Sequence, residues 1–99
     1  MPIRMKVYTR GGETLVAAAD GDLLGRTFRQ GELRLHVNAF YDGDAVDAEG
    51  FVRHLRVATI GNFVGRETVE AAIRAGFVDP DAVLWIDGVP HAQLVVAAH

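Results

Sequence analysis

The sequence contains no cysteine and no serine, and these absences exclude several classes of site before any motif is considered. Without cysteine there can be no disulfide, thiolate nucleophile, cysteine-ligated zinc or iron–sulfur cluster. Without serine there can be no serine-nucleophile hydrolase, and threonine is left as the only aliphatic hydroxyl. Many families that depend on nucleophilic or redox side chains are therefore excluded.

An excess of positive charge and long hydrophobic runs are also missing. Ten basic residues face thirteen acidic ones, which gives a net charge of −3, so no overall field attracts nucleic acid or anionic lipid. A local basic patch is compatible with this balance. The first ten residues carry Arg4, Lys6 and Arg10 and no long apolar run, which argues against a signal peptide or membrane anchor. We expect a cytoplasmic protein with no membrane contact.

The residues that are present indicate one globular domain spanning 1–99. The 99 residues are 49% hydrophobic and 23% charged, enough to form a core without disulfide or metal support. Apolar periodicity predicts strands at Ile3–Thr9, Glu13–Ala19, Leu33–Val37, Val83–Ile86 and Ala92–Ala97. It predicts one helix from Asp47 towards Thr59, bent or ended by the Gly61–Gly65 segment, and a second over Arg66–Ala75.

The predicted order is therefore β-β-β-α-α-β-β, with Asp22–Gln30 as a short helical turn or loop. Runs of strands separated from runs of helices are typical of α+β domains. We expect a mainly antiparallel sheet of about five strands with both helices packed on one of its faces.

A first candidate site is polar and centres on the last strand. His91 and Gln93 lie two residues apart, so they share one face of a strand. Thr59 and Asn62, at the end of the first predicted helix or in the turn after it, are the polar residues that we expect beside them. Imidazole and carboxamide groups both donate and accept hydrogen bonds, and together they could bind a small polar ligand. The structural alternative is that His91 and Gln93 satisfy loop carbonyls and that Asn62 occupies a left-handed turn between glycines.

A second candidate site is basic. Three arginines, Arg26, Arg29 and Arg34, lie close together in the sequence, and the aromatic residue Phe28 stands between the first two. Guanidinium groups beside an aromatic side chain suit phosphate contacts and base stacking in RNA. The alternative is a solvated surface balanced by Glu32 and Asp22.

Metal and cofactor motifs are not found. The spacing of Asp42, Asp44 and Asp47 does not match a calcium loop, and turn and helix-capping roles explain these residues better. The four histidines, His36, His54, His91 and His99, show no zinc-ligand spacing. No Walker A or dinucleotide-binding glycine motif is present. We expect no metal and no cofactor.

The single tryptophan, Trp85, alternates with Leu84 and Ile86 and so lies on the opposite face of its strand. If helices cover that face, Trp85 belongs to the core, which is the commoner position for a large aromatic residue. If the face is open, Trp85 marks an interface. The sequence is compatible with a homo-oligomer formed through this strand or through an exposed sheet edge.

Two segments carry a family resemblance: Ala58–Gly65, with the sequence ATIGNFVG, and Gly88–Gln93, with the sequence GVPHAQ. With these motifs, and over essentially the whole chain, the sequence resembles a small archaeal family called domain of unknown function 424. The resemblance implies a cytoplasmic, single-domain archaeal protein and implies no activity.

These observations lead to two hypotheses about function. The first is a small non-catalytic binding or adaptor module that contacts RNA or a translation-associated protein, with the arginine group at the contact. The second is a small enzyme or ligand-binding protein that uses His91, Gln93, Asn62 and Thr59, since imidazole is the side chain with a pKa suited to proton transfer near neutrality.

Overall fold

The fold, taken from a computed structural model, is described for residues 2–96. It has eight strands in this part of the chain: β1 Ile3–Arg10, β2 Glu13–Asp20, β3 Thr27–Gln30, β4 Leu33–His36, β5 Asp44–Val46, β6 Ile60–Val64, β7 Leu84–Ile86 and β8 Val89–Val95. The two α-helices are α1 Ala48–Leu55 and α2 Arg66–Arg74. Short 3-10 turns occur at Gly21–Leu23, Ala39–Tyr41 and Pro80–Ala82.

Six of the strands form one mixed sheet in the order β5-β1-β2-β6-β8-β7. Strands β2 and β6 are parallel, and the other neighbours in this sheet are antiparallel. Strands β3 and β4 form a separate two-stranded hairpin. The predicted α+β class is confirmed, but the sheet has six strands rather than about five, is mixed because it includes one parallel pair, and is connected in a different order.

The two faces of the sheet bury different layers. Both helices cover one face, where Phe51 and Leu55 of α1 and Val69 of α2 pack on inward side chains of the strands. On the other face, Phe28 and Leu35 of the hairpin pack on a second cluster of strand residues. The hairpin is therefore a third layer on the side of the sheet opposite the helices.

The first predicted helix is too long, and the following turn was misassigned. Helix α1 ends at Leu55, and the glycine-flanked segment predicted to bend or end the helix is the central strand β6. Apolar residues continue at helical spacing past Leu55 to Ala58, so periodicity alone does not mark the boundary. Ile60 and Val64 are β-branched and favour a strand, and β6 lies between β2 and β8 with Phe63 fully buried.

Two other short strands were also predicted as turns or loops. Strand β3 lies within the segment Asp22–Gln30 predicted as a turn or loop, and it pairs with β4. Strand β5 begins at Asp44, within a predicted turn, and pairs with the start of β1. Both strands have at most four residues, too few to show a clear alternation. The predicted end of the last strand, Ala97, lies outside the described residues, as does His99.

Candidate functional site

Two members of the predicted polar site are brought together by the pairing of β6 with β8. Asn62 lies directly opposite Gln93, and His91 lies opposite Val64. Directly opposite residues in an antiparallel pair project from the same face, so Asn62, Gln93 and His91 share the hairpin side of the sheet. The sequence pattern placed His91 and Gln93 on one face, and the register adds Asn62 to that face.

Asn62 is held by a side chain that the sequence did not single out. The Tyr41 hydroxyl donates to the Asn62 Oδ1 atom at 2.5 Å. Tyr41 is buried, and this burial raises the pKa of its hydroxyl from 10.0 to about 12. The expected left-handed turn at Asn62 is wrong, because Asn62 lies in a strand and Asp87 is the only described non-glycine residue with a positive φ. Asn62 therefore links the sheet to the turn at Ala39–Tyr41.

His91 is half-buried and its ring is bonded to the main chain. The Nδ1 atom lies 3.0 Å from the carbonyl oxygen of Phe63, and since a carbonyl oxygen can only accept, the ring donates through Nδ1. A general acid or base is usually oriented by a further polar side chain. Within residues 2–96, the hydrogen bond that fixes the His91 ring goes to a backbone carbonyl, which is the arrangement expected of a structural histidine.

Thr59 belongs to a different network. Its hydroxyl donates to Glu13 Oε2 at 2.5 Å and accepts from the Thr14 amide at 2.9 Å. Its own amide donates to the Thr14 carbonyl oxygen at 2.8 Å. These bonds attach the residue before β6 to the start of β2, so Thr59 does not contact the group around Asn62.

The residues of the predicted basic site lie on the β3–β4 hairpin or just before it, and they are distributed over the two faces of that hairpin. Phe28 pairs with Leu35 on the inward face, and Phe28 is only 6% exposed. The Arg26 guanidinium lies over the Phe28 ring, 5.0 Å from its centre, at the margin of this core. Because the ring is buried, the expected stacking of RNA bases on Phe28 does not fit the structure.

Arg29 and Arg34 lie on the outward face of the hairpin. They are directly opposite one another in the register, and both are exposed. No carboxylate lies within salt-bridge distance of either guanidinium in the described part of the chain, where the ion pair found is Arg74 with Glu70. Thr27 and His36, the next outward pair, are joined by a hydrogen bond of 2.6 Å between Oγ1 and Nδ1. We call these four residues the hairpin arginine face.

Comparison with known proteins agrees with this fold. The family model described as "Protein of unknown function (DUF424)" matches residues 8–96. The chain belongs to the DUF424 family. The resemblance found in the sequence is therefore confirmed.

The crystal structure of an uncharacterized conserved protein from Methanopyrus kandleri, an archaeon, is similar to this DUF424 chain, with a TM-score of 0.83. The two are 22% identical, and the match covers 100% of this chain and 96% of the other. This likeness establishes the fold. Among curated proteins, none matches the sequence.

Two further observations on this DUF424 chain concern membrane-spanning helices and metal ligands. No helix within the described range is long and apolar enough to span a membrane. The described His, Asp and Glu side chains form no group of three that could hold a metal ion.

Proposed function

We propose that this protein is a non-catalytic binding module that contacts the phosphates of RNA through the hairpin arginine face. The observation that carries the proposal is the cross-strand pair of Arg29 and Arg34. Like charges directly opposite one another destabilise a strand pair, and no described carboxylate compensates them. A phosphate group between the two guanidinium groups would supply the missing counter-charge.

The chemistry of the face favours the RNA backbone over the bases. Guanidinium groups bind phosphate oxygens in a two-pronged geometry. Thr27 and His36 share one hydrogen bond, and the pair keeps one further donor for a phosphate oxygen. The buried Phe28 ring offers no stacking surface. Contacts made mainly to phosphates give affinity and orientation with little sequence discrimination. We therefore expect salt-sensitive binding that varies little with RNA sequence.

The proposal is tested by fluorescence anisotropy with a labelled single-stranded RNA. Replacing both Arg29 and Arg34 with alanine should weaken binding at low salt by about tenfold or more, equivalent to about 1.4 kcal/mol. The slope of log affinity against log salt should fall by about 1.4, since each phosphate contact on a single strand contributes about 0.7.

The matched control replaces Arg53 and Arg56, two exposed arginines at the end of α1 on the helix side of the sheet. Both double variants change the net charge by the same amount, so a purely global charge effect would weaken them equally. Equal loss in the two variants, or undetectable binding by the unaltered protein, would contradict the proposal. Circular dichroism of each variant establishes that the fold is retained.

The adaptor role, the link to translation and the cytoplasmic location remain predictions. The adaptor role and the link to translation are tested by isolating the tagged protein from its host at low salt, with and without ribonuclease. Ribosomal or RNA-processing components that are lost with ribonuclease would support an RNA-linked adaptor. The same components retained after ribonuclease would instead indicate direct protein contacts.

The alternative, a small enzyme or ligand-binding protein, has less support. Thr59 lies in a separate network, Asn62 is bonded to Tyr41, and the His91 ring is bonded to a backbone carbonyl. Of the four predicted residues, Gln93 is exposed and the other three are half-buried. The geometry of this group is better explained as cross-linking of β6, β8 and the turn at Ala39–Tyr41.

A further inference from the structure

The outer edge of β8 is only partly covered by β7. The pairing of β7 with β8 runs from Ile86 opposite Val89 to Leu84 opposite His91 and stops there. Strand β8 continues to Val95 and remains paired with β6 on its inner side. Beyond His91, none of the other described strands lies along the outer side of β8.

The directions of the backbone groups on this part of β8 follow from two hydrogen bonds. The Pro90 carbonyl oxygen accepts from the Gly65 amide at 2.9 Å, and the Val96 amide donates to the Thr59 carbonyl oxygen at 2.8 Å. Both bonds point towards the β6 side. Because backbone groups alternate along a strand, Gln93 and Val95 direct their amides and carbonyls outward. They therefore present two donors and two acceptors along the open edge.

The same edge is apolar and concave. A surface cavity of about 540 Å³, of a size typical of ligand pockets, lies beside β8, with Leu84, His91, Gln93 and Val95 among its lining residues. Val95 is 76% exposed, and no residue from Ala92 to Val96 is charged. Natural proteins usually protect sheet edges with charged residues, proline or a covering segment. In the described chain, residues 92–96 have none of these protections.

We propose that this edge binds a second copy of the same chain, with the two β8 strands antiparallel. In the register that matches the outward groups, Gln93 of each copy pairs with Val95 of the other, and Leu94 lies opposite Leu94. This arrangement is self-complementary, because one two-fold axis satisfies the same groups in both chains. Each Val95 would then lie in the cavity of the other copy, beside Leu84.

A second copy fits this edge better than a charged or highly polar segment would. Of the exposed side chains contributed by the edge, Leu84, Val95 and Val96 are apolar, and Gln93 is polar but uncharged. In each copy, the part of β8 that extends beyond β7 has the same length and composition and contains no charged residue. Pairing of the two segments therefore buries no charge without a partner. The six-stranded sheets of the two copies would join into one continuous sheet.

The first test compares two exposed valines. Val95→Lys places a charge at the proposed interface, while Val57→Lys makes the same change at a residue 68% exposed in the turn after α1. By light scattering after size exclusion at high micromolar concentration, the unaltered protein and Val57→Lys should have twice the mass of one chain. Val95→Lys should have the mass of one chain.

The second test determines the register, using the absence of any natural cysteine. Residues opposite one another in a non-hydrogen-bonded antiparallel pair have Cα atoms about 4.5 Å apart, within the range that a disulfide spans. Leu94→Cys should therefore form a covalent dimer under mild oxidation, and Val57→Cys should remain mainly monomeric. Circular dichroism establishes that each variant is folded.

Three results would overturn the proposal. The first is a monomeric unaltered protein, which would leave the edge to a different partner or to water. The second is a dimer that persists in Val95→Lys, which would place the interface elsewhere. The third is cross-linking of Leu94→Cys no faster than that of Val57→Cys, which would contradict the register.

Discussion

Tyr41 provides the clearest prediction at the scale of a single residue. Its hydroxyl is buried against Asn62, and burial raises its pKa to about 12. The folded state therefore holds the proton more tightly than the unfolded chain, where the pKa is 10.0. The resulting stability is present below about pH 10 and is lost as the pH rises towards 12, by roughly 2 to 3 kcal/mol in total.

Urea unfolding measured near neutral pH and at about pH 11.5 checks this dependence. Tyr41→Phe should be less stable near neutrality by about 1 to 2 kcal/mol, because the Asn62 oxygen loses its donor. The fall in its free energy of unfolding between neutral pH and about pH 11.5, the alkaline decline, should also be smaller than in the unaltered protein. Tyr8→Phe, which removes a phenol that donates to the Phe40 carbonyl, should retain the decline. An identical decline in the unaltered protein and Tyr41→Phe would contradict the assignment to Tyr41.

Residue types at the candidate sites were predictable, but their partners were not. Alternation along a strand was enough to place His91 and Gln93 on one face. Nothing in the sequence indicates that Tyr41 reaches Asn62, because the two are separated by 21 positions and meet only when the turn folds over the sheet. Phe28 illustrates the reverse error: it stands between Arg26 and Arg29 in the sequence, but in space its ring is buried among core residues, with Arg26 at the margin.

At the scale of the element, the start of α2 depends on a residue from another strand. The buried Asp20 carboxylate at the end of β2 accepts from the amides of Glu67 and Thr68, at 3.1 and 2.8 Å, and from the Thr68 hydroxyl at 2.8 Å. Gly65 precedes the helix with φ of 105°, and a Cβ at that position would overlap the carboxylate. Asp20 thus performs the capping role that a residue at the Gly65 position normally has.

Asp20→Ala should lower the free energy of unfolding by about 2 to 4 kcal/mol, because it leaves two amides and a buried hydroxyl without an acceptor. Asp22→Ala is the matched control: Asp22 is exposed, and its loss should cost no more than about 0.5 kcal/mol. Urea unfolding of both variants decides the question. A similar, small loss in the two proteins would show that α2 does not need the cap.

Elements with strong periodicity were predicted well, and those defined by long-range pairing were not. Strands β1 and β2 were found almost to their ends, and α2 was found within one residue, since Gly76 follows its last turn. The central strand β6 was predicted as the segment that bends or ends a helix. Its identity depends on parallel pairing with β2, across a connection that includes the hairpin and α1, and local propensity does not contain that information.

At the scale of the whole molecule, the two proposed surfaces have a geometric relation. A two-fold axis between antiparallel edge strands runs perpendicular to the sheet, so both copies turn the same face in the same direction. The hairpin is packed on the face opposite the helices, and the proposed dimer would therefore present both hairpin arginine faces on one side. An RNA strand that reaches both faces would bind twice, and its second contact would be intramolecular.

This arrangement predicts a dependence on RNA length that rests on both proposals. Val95→Lys should weaken binding of an RNA that spans both faces by about 10²-fold or more, the usual gain from linked sites. It should leave unchanged the binding of an RNA that covers one face. Anisotropy titrations with short and long RNAs provide the comparison, with Val57→Lys as the control. If Val95→Lys becomes monomeric but binds both RNAs as the unaltered protein does, the two faces do not act together, while each proposal stands on its own test.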